Sequence, residues 1–243
     1  MKEVSDGNLY VSSDLVKIGT GDCSGCSLCC HVTADTILLD PYDIYNLQKA
    51  TGRVFTELYG SILAFGQGDG LILPHLKVND ESGCPLLDEK GRCSIHDFRP
   101  GFCRLFPLGR IYENGGFKYY IQVKECPYPN KSKVKIKNWL GIERLKDYET
   151  YILDWHERTE KHSEKISGLM RQLTAEGVRP SIDNGAAKEP SGSADDCAKA
   201  DGSGLLAQAS AESTAFLKRF FLIPYDTERD FYEQYYERCN NEN

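Results

Sequence analysis

The 243-residue chain has a formal net charge of −7 at pH 7, with 40% hydrophobic and 27% charged residues. This composition is typical of a folded domain with an ordinary apolar core. The acidic balance argues against a general nucleic-acid-binding protein, because such a protein needs a basic field over the phosphates.

The sequence lacks the two segments that would indicate a membrane or export. No run approaches the roughly 18 apolar residues of a membrane span. Residues 1–6 carry acidic side chains and have no apolar core, unlike a signal peptide. We therefore expect a cytoplasmic protein that binds neither nucleic acid nor membrane, and whose partner is an unknown protein or small molecule.

The first clear element is predicted at an aspartate–proline pair. Asp40 is a good helix N-cap and Pro41 is tolerated at the first helical position, so a helix is expected to run to about Ala50, with Gly52 as its stop. A second helix is predicted over residues 56–65. Short strands are predicted from apolar and aromatic runs at residues 71–73, 76–78 and 117–123.

The second half of the chain is predicted to be helical apart from one biased stretch. Apolar residues recur at three- and four-residue intervals over residues 139–173, which indicates an amphipathic helix. Residues 175–204 are rich in Gly, Ala, Ser and Asp, a composition typical of a disordered linker. Two further helices are predicted over residues 211–221 and 227–238, with Asp226 as the N-cap of the second.

Ten cysteines are present, and four of them fall within eight residues: Cys23, Cys26, Cys29 and Cys30. Crowded thiolates are costly unless a cation neutralises them, so this spacing indicates a soft-metal or iron–sulfur site. In a reducing compartment cysteines serve as metal ligands or free thiols. A disulfide framework is the less favoured alternative, because the chain is larger than the small secreted scaffolds that need one.

Four more cysteines follow at wider spacing, at Cys84, Cys93, Cys103 and Cys126. One zinc ion takes four ligands, usually from two short knuckles. A 4Fe–4S cluster commonly takes three ligands from a Cys-x2-Cys-x2-Cys loop and a distant one that precedes proline. Because Cys84 and Cys126 both precede proline, the ligand count favours an iron–sulfur cluster over a single zinc. Two separate sites of four thiolates each are also possible.

The conformation of the first cysteine segment decides which thiols can act together. In a loop, Cys23, Cys26 and Cys29 can enclose one cluster. In a helix, Cys23, Cys26 and Cys30 share a face and Cys29 points elsewhere. The sequence leaves both conformations open.

Two histidines and two arginines lie beside the cysteines. His31 and His96 are secondary ligand candidates, although a structural role is favoured for each because thiols are already plentiful. Arg99 and Arg104 flank Cys103, and we predict that they bind the cofactor by donating hydrogen bonds to its sulfur. Binding of an anionic substrate, or a salt bridge to a nearby carboxylate, is the alternative for these arginines.

A basic strip lies just beyond the last of the eight cysteines. Four lysines alternate with other residues between Lys131 and Lys137. A solvated strand or loop face is favoured here over an anion or nucleic-acid site.

The order and spacing of these motifs resemble the CxxCxxCC cysteine-cluster family, also called YkgJ-like. The match spans about residues 20–130 and is carried by Cys-x2-Cys-x2-Cys-Cys, Gly91-x-Cys93-Ser-Ile-His96 and Arg99-Pro100-x2-Cys103-Arg104-x-Phe106-Pro107. The resemblance implies chelation of zinc or iron by eight cysteines that form a metal site. The cysteine cluster is also similar to that of flagellin lysine-N-methylases, which implies a protein-methylating role.

Together these features predict an α+β fold, mostly helical, with a few short strands around a cysteine-rich, metal-centred irregular core. We divide the chain into a cysteine-cluster metal-binding domain (1–135), a helical extension (136–174), a disordered linker (175–204) and C-terminal helices that pack back on the core (205–243).

The favoured function is metal binding through all eight cysteines, with a 4Fe–4S cluster preferred to zinc. The alternatives are a protein-modifying enzyme similar to the flagellin methylases and a non-catalytic, zinc-stabilised binding module. The sequence leaves open whether the protein is an enzyme.

Overall fold

The computed structural model describes residues 5–21, 26–32, 37–68, 70–78, 82–175 and 203–240. Over these residues the fold is α+β, as predicted. The strands are β1 (Leu15–Gly19), β2 (Leu63–Gly68), β3 (Leu71–Leu76), β4 (Leu108–Glu113), β5 (Gly116–Ile121) and β6 (Ser132–Lys135). The helices are α1 (Leu28–Val32), α2 (Pro41–Thr51), α3 (Phe55–Leu58), α4 (Gly101–Leu105), α5 (Ile136–Leu140), α6 (Leu145–Ala175), α7 (Ser203–Leu217) and α8 (Phe231–Asn240).

The strands form three antiparallel pairs, β1 with β6, β2 with β3, and β4 with β5. Residues 176–202, which hold most of the predicted linker, lie outside the described residues. The division of the chain into four parts therefore stays a prediction. Over the described ranges, every helix is too short or too polar to cross a bilayer.

Helix α2 begins and ends where the sequence predicts. The Asp40 carboxylate accepts a hydrogen bond from the backbone N–H of Asp43, and the Asp43 carboxylate accepts one from the backbone N–H of Asp40, which forms a capping box. Pro41 occupies the first turn, and Gly52 ends the helix in the left-handed conformation with φ of 68°.

The predicted helix over residues 56–65 is wrong for most of its length. Helix α3 stops at Leu58, and the chain turns at Gly60 before it enters β2. Strand β2 pairs in register with β3, with Leu63 opposite Leu76. The hydrogen bonds to a partner strand outweigh the local helical pattern. The residue pattern within one segment does not show which other segment it will pair with.

The single helix predicted over residues 139–173 is two helices in the structure. Gly141 adopts φ of 60° and ends α5, and α6 then begins at Leu145. Helix α8 begins later than predicted, at Phe231, because Asp230 and not Asp226 accepts the hydrogen bond from the N–H of Glu233 in its first turn.

The larger of two apolar cores joins the first and last parts of the described chain. Ile44 and Leu47 of α2 pack in it with Tyr151 of α6 and with Tyr235 of α8. The Gln48 side chain donates a hydrogen bond to the carbonyl of Tyr225 and accepts one from its N–H. The C-terminal helices therefore cover α2 and α6.

The smaller core supports the cysteine-bearing segments from the other side. Its residues come from β1, α4, the β4–β5 hairpin and α5. Leu105 of α4 packs there with Ile18, Ile136 and Leu140. Helix α4, which carries Cys103, is thus held between the two cores.

Candidate metal centre

Six cysteines line one cavity of about 90 Å³. This volume is several times the roughly 10–15 Å³ that one water molecule needs. The six come from α1 and the residues before it, from the loop that precedes α4, and from α4 itself: Cys26, Cys29, Cys30, Cys84, Cys93 and Cys103. Cys23 lies outside the described residues.

The first cysteine segment combines the two conformations that the sequence left open. Cys26 precedes α1, while Cys29 and Cys30 lie within it. The N–H of Cys30 donates to the carbonyl of Ser27 at 2.9 Å, which starts the helical turn. Because Cys26 lies outside the helix, it lines the same cavity as both helical cysteines.

A tight hairpin brings Cys84 and Cys93 into the cavity. Leu87 forms an antiparallel bridge with Cys93, and the Asp88 N–H donates to the Arg92 carbonyl at 2.7 Å. The N–H of Cys84 donates to the carbonyl of Cys30 at 2.9 Å. This last bond ties the hairpin directly to the first cysteine segment.

A buried carboxylate positions the segment that carries Cys103. The N–H of Gly101, at the start of α4, donates to Asp43 Oδ1 at 2.7 Å. The Tyr148 hydroxyl packs so closely on Gly101 that a side chain there would be crowded. Asp43 is a positioning residue that the sequence interpretation missed, and it lies 58 positions before Gly101 in the chain.

The adjacent thiols of Cys29 and Cys30 form a hydrogen bond with each other. The Cys30 thiol donates to the Cys29 sulfur, which lowers the pKa of Cys29 to about 7 and raises the pKa of Cys30. The Arg99 guanidinium also favours the Cys29 thiolate. One thiolate of the pair is therefore available near neutral pH.

Burial raises the pKa of the other thiols in the cavity. This holds for Cys84, Cys93 and Cys103, and the charge of Asp43 raises the pKa of Cys103 further. A bound cation reverses this effect, because it stabilises the thiolate form of its ligands. The site is therefore arranged to release protons when a metal binds.

Cys126 lines a second, smaller cavity of about 30 Å³ beside the first. Cys26 and Cys29 line both cavities, and so does the indole of Trp139. Lys131 Nζ donates to the carbonyl of Cys126 at 2.5 Å. The structure therefore brings Cys126 next to the N-terminal cysteines, across about 100 residues of sequence.

Trp139 is a second site residue that the sequence interpretation missed. The sequence pattern gives it no role beyond the start of the predicted helical stretch. In the structure its indole N–H donates to the carbonyl of Phe106 at 3.2 Å, which holds the ring against the cysteine cavities. Only the packing of α5 on the α4 segment could reveal this position.

The two predicted cofactor-binding arginines occupy different places. Arg99 lines the six-cysteine cavity. Arg104 is not among its lining residues, and its guanidinium donates to the backbone carbonyls of Arg99, Asp97 and Leu140. Arg104 thus braces the turn before α4, whereas Arg99 is placed to contact a bound group.

The two candidate histidines also differ. His96 lines the cavity, and its Nε2 lies 2.7 Å from Nη1 of Arg99. Because a guanidinium only donates, the Nε2 lone pair of His96 accepts this bond and faces the arginine. His31 is exposed, and its ring packs so closely on Gly83 that a side chain at position 83 would collide with it.

The thiol groups around the cavity suit a soft metal, although their sulfur atoms do not lie close enough together to share one ion. Over the described ranges, which omit Cys23, no three histidine, cysteine or acidic side chains are grouped closely enough to hold an ion as they stand. Thiolates are the preferred ligands of zinc and of iron–sulfur clusters. The six thiols around this cavity are therefore candidate ligands of a soft metal.

The comparison with protein families points to the same chemistry. Residues 22–132 match the CxxCxxCC family, which is described as a "putative zinc- or iron-chelating domain". The chain therefore carries a CxxCxxCC domain, as its motifs predicted, and this supports zinc or iron binding. No curated protein and no solved structure matches the chain.

Proposed function

We propose that this protein binds a 4Fe–4S cluster through the cysteines gathered around the two adjoining cavities. The observation that carries the proposal is that Cys26, Cys29 and Cys126, from segments distant in sequence, all line the smaller cavity. This set matches part of the pattern expected for a cubane cluster, which uses a Cys-x2-Cys-x2-Cys loop and a remote cysteine followed by proline. Cys23 would complete the loop.

The number of thiols supports a group larger than one ion. A single zinc needs four ligands, and six cysteines line the larger cavity alone. The volume of that cavity, about 90 Å³, likewise exceeds the space that one ion occupies. Both features favour a cluster, or two metal sites, over a single zinc ion.

The chain's own residues would tune the bound group. Arg99 places positive charge beside the thiolates and favours the ionised form of Cys29. Ile37, Leu76 and Leu86 give the larger cavity apolar walls, and an apolar shell limits the access of solvent to a bound group. When bound, an iron–sulfur cluster supplies one-electron redox chemistry. We propose that the protein uses it in a redox, sensing or catalytic role.

Anaerobic purification of the full chain tests the proposal. We expect brown protein with visible absorption, and with iron and acid-labile sulfide in equal amounts. Colourless protein with stoichiometric zinc would contradict an iron–sulfur cluster and would leave the thiol site as a zinc site.

The contribution of Cys126 is tested by a matched pair of thiol deletions. Cys126→Ala should lower the iron and sulfide content sharply, because the cluster loses one ligand. Cys239→Ala removes a buried thiol of α8 that lines neither cavity, so it should leave the metal content unchanged. Equal metal content in the two variants would show that Cys126 is not a ligand.

A zinc-stabilised binding module is the second candidate. The observation in its favour is the hairpin closed by the Leu87–Cys93 bridge, which brings two candidate zinc ligands, Cys84 and Cys93, to the same cavity. On this hypothesis a chelator should unfold the cysteine-bearing part of the chain. Retention of the circular dichroism spectrum after complete metal removal would count against it.

A further inference from the structure

A third cavity, of about 320 Å³, lies next to the cysteine cavity. Residues of the β1–β6 sheet form one side of it, including Gly19 and Lys133. Arg99 and Trp139 line both this cavity and the six-cysteine cavity. The two spaces therefore share part of their walls.

The charge around this cavity is positive. Arg99 and Lys133 line it, and over the described residues no acidic side chain does. Lys17 lies directly opposite Lys133 in the β1–β6 pairing, so the two ammonium groups are on the same face of the sheet. Neither lysine forms an ion pair with any described residue. Like charges placed opposite one another repel, and a bound anion would relieve that repulsion.

Arg99 also has a hydrogen-bond donor that the described chain leaves unused. Its Nε is buried and has no acceptor, while its Nη1 donates to His96. A buried guanidinium N–H without a partner is unfavourable, because it has lost its hydration. An oxygen acceptor brought by a ligand would satisfy it once the Arg99 side chain rotates to present this N–H to the cavity. The exposed amide of Asn138 supplies a further polar group at the same cavity.

We propose that this cavity is an oxyanion site, in which Arg99 and Lys133 bind the phosphate or carboxylate group of a small molecule beside the metal centre. Arg99 is the residue that links the two, because it contacts both spaces. Only protein side chains form this anion site, so anion binding does not depend on whether the metal is zinc or an iron–sulfur cluster. The basic strip was predicted to be a solvated face, and one of its lysines, Lys133, lines this cavity.

Titration of the metal-loaded full chain with inorganic phosphate, and separately with acetate, tests the proposal. Isothermal titration calorimetry measures affinity, and the indole N–H resonance of Trp139 reports whether the anion enters this cavity. We expect saturable 1:1 binding of at least one of the two anions and a matching shift of that resonance. Metal content is measured in every sample, so that loss of the metal centre and loss of anion binding are told apart.

Two lysine variants distinguish a defined site from diffuse charge. Lys133→Gln should weaken binding about tenfold, because it removes one charge-assisted hydrogen bond. Lys137→Gln removes the same charge from the same strip but from a side chain that does not line the cavity, so its affinity should change less than about twofold. Equal weakening by both variants, or no saturable binding of either anion to fully metal-loaded protein, would overturn the proposal.

Discussion

Asp43 offers the sharpest test of how this fold holds its cysteines. The side chain is buried, with 2% exposure, and accepts hydrogen bonds from the N–H groups of Gly101 at 2.7 Å and Asp40 at 3.1 Å. Asp43→Ala leaves the buried N–H of Gly101 without an acceptor, which costs about 1–3 kcal/mol. It also removes half of the capping box of α2, at about 0.5–2 kcal/mol. We expect a total loss of about 1.5–5 kcal/mol in the free energy of unfolding.

The same change should disturb the metal centre, because Gly101 begins the helix that carries Cys103. Asp43→Asn retains one acceptor oxygen, so we expect a smaller loss, about 1–2 kcal/mol. Urea denaturation measures the stability, and elemental analysis measures the metal bound per chain. Asp97→Ala is the matched control, since its carboxylate is 95% exposed on the adjacent turn and its removal should change stability by less than about 0.5 kcal/mol. A stable Asp43→Ala variant with full metal content would refute the reasoning.

Three further changes test other parts of the structure. Gly83→Ala should lower the free energy of unfolding by about 1–2 kcal/mol, because φ is 77° and a Cβ would collide with the His31 ring. Thermal unfolding measures this loss, and metal analysis would show whether α1 is displaced. Tyr151→Phe removes the hydroxyl that accepts from the N–H of Tyr42, and urea denaturation should show a loss of about 1–3 kcal/mol; an unchanged midpoint would contradict that bond. Burial lowers the pKa of His162, so the unfolded chain binds a proton there more readily than the folded chain. The free energy of unfolding should therefore fall as the pH drops through about 6.5. This pH dependence should weaken in His162→Gln, and an identical pH profile for the two proteins would count against the prediction.

Local chemistry made several features of the fold predictable. The capping box at Asp40 and the stop at Gly52 depend on residues close in sequence, and both are where the pattern placed them. The α+β class also followed from the mixture of helical periodicity and short aromatic runs. In contrast, residues 59–65 lost their predicted helix because β2 pairs with β3, a contact that the helical pattern of the segment itself does not encode.

The sequence by itself determined the chemistry of the site. The eight cysteines, their spacing and the flanking arginines predict a thiol-rich metal site, since ligand type and ligand count are properties of composition, and residues 22–132 match the CxxCxxCC domain. The sequence could not show which side chains line the same cavity. Cys126 reaches Cys26 through packing of distant segments, and Asp43 meets Gly101 in the same way.

Tertiary structure also separated residues that look equivalent in the sequence. Arg99 and Arg104 flank the same cysteine, yet Arg104 bonds to backbone carbonyls while Arg99 lines the cavity with an unused buried N–H. Lys133 and Lys137 belong to one basic strip, yet only Lys133 lines the cavity beside the metal centre. The physical reason is the same in each case: residue type sets what a side chain can bind, whereas burial and neighbours from distant segments decide what it meets.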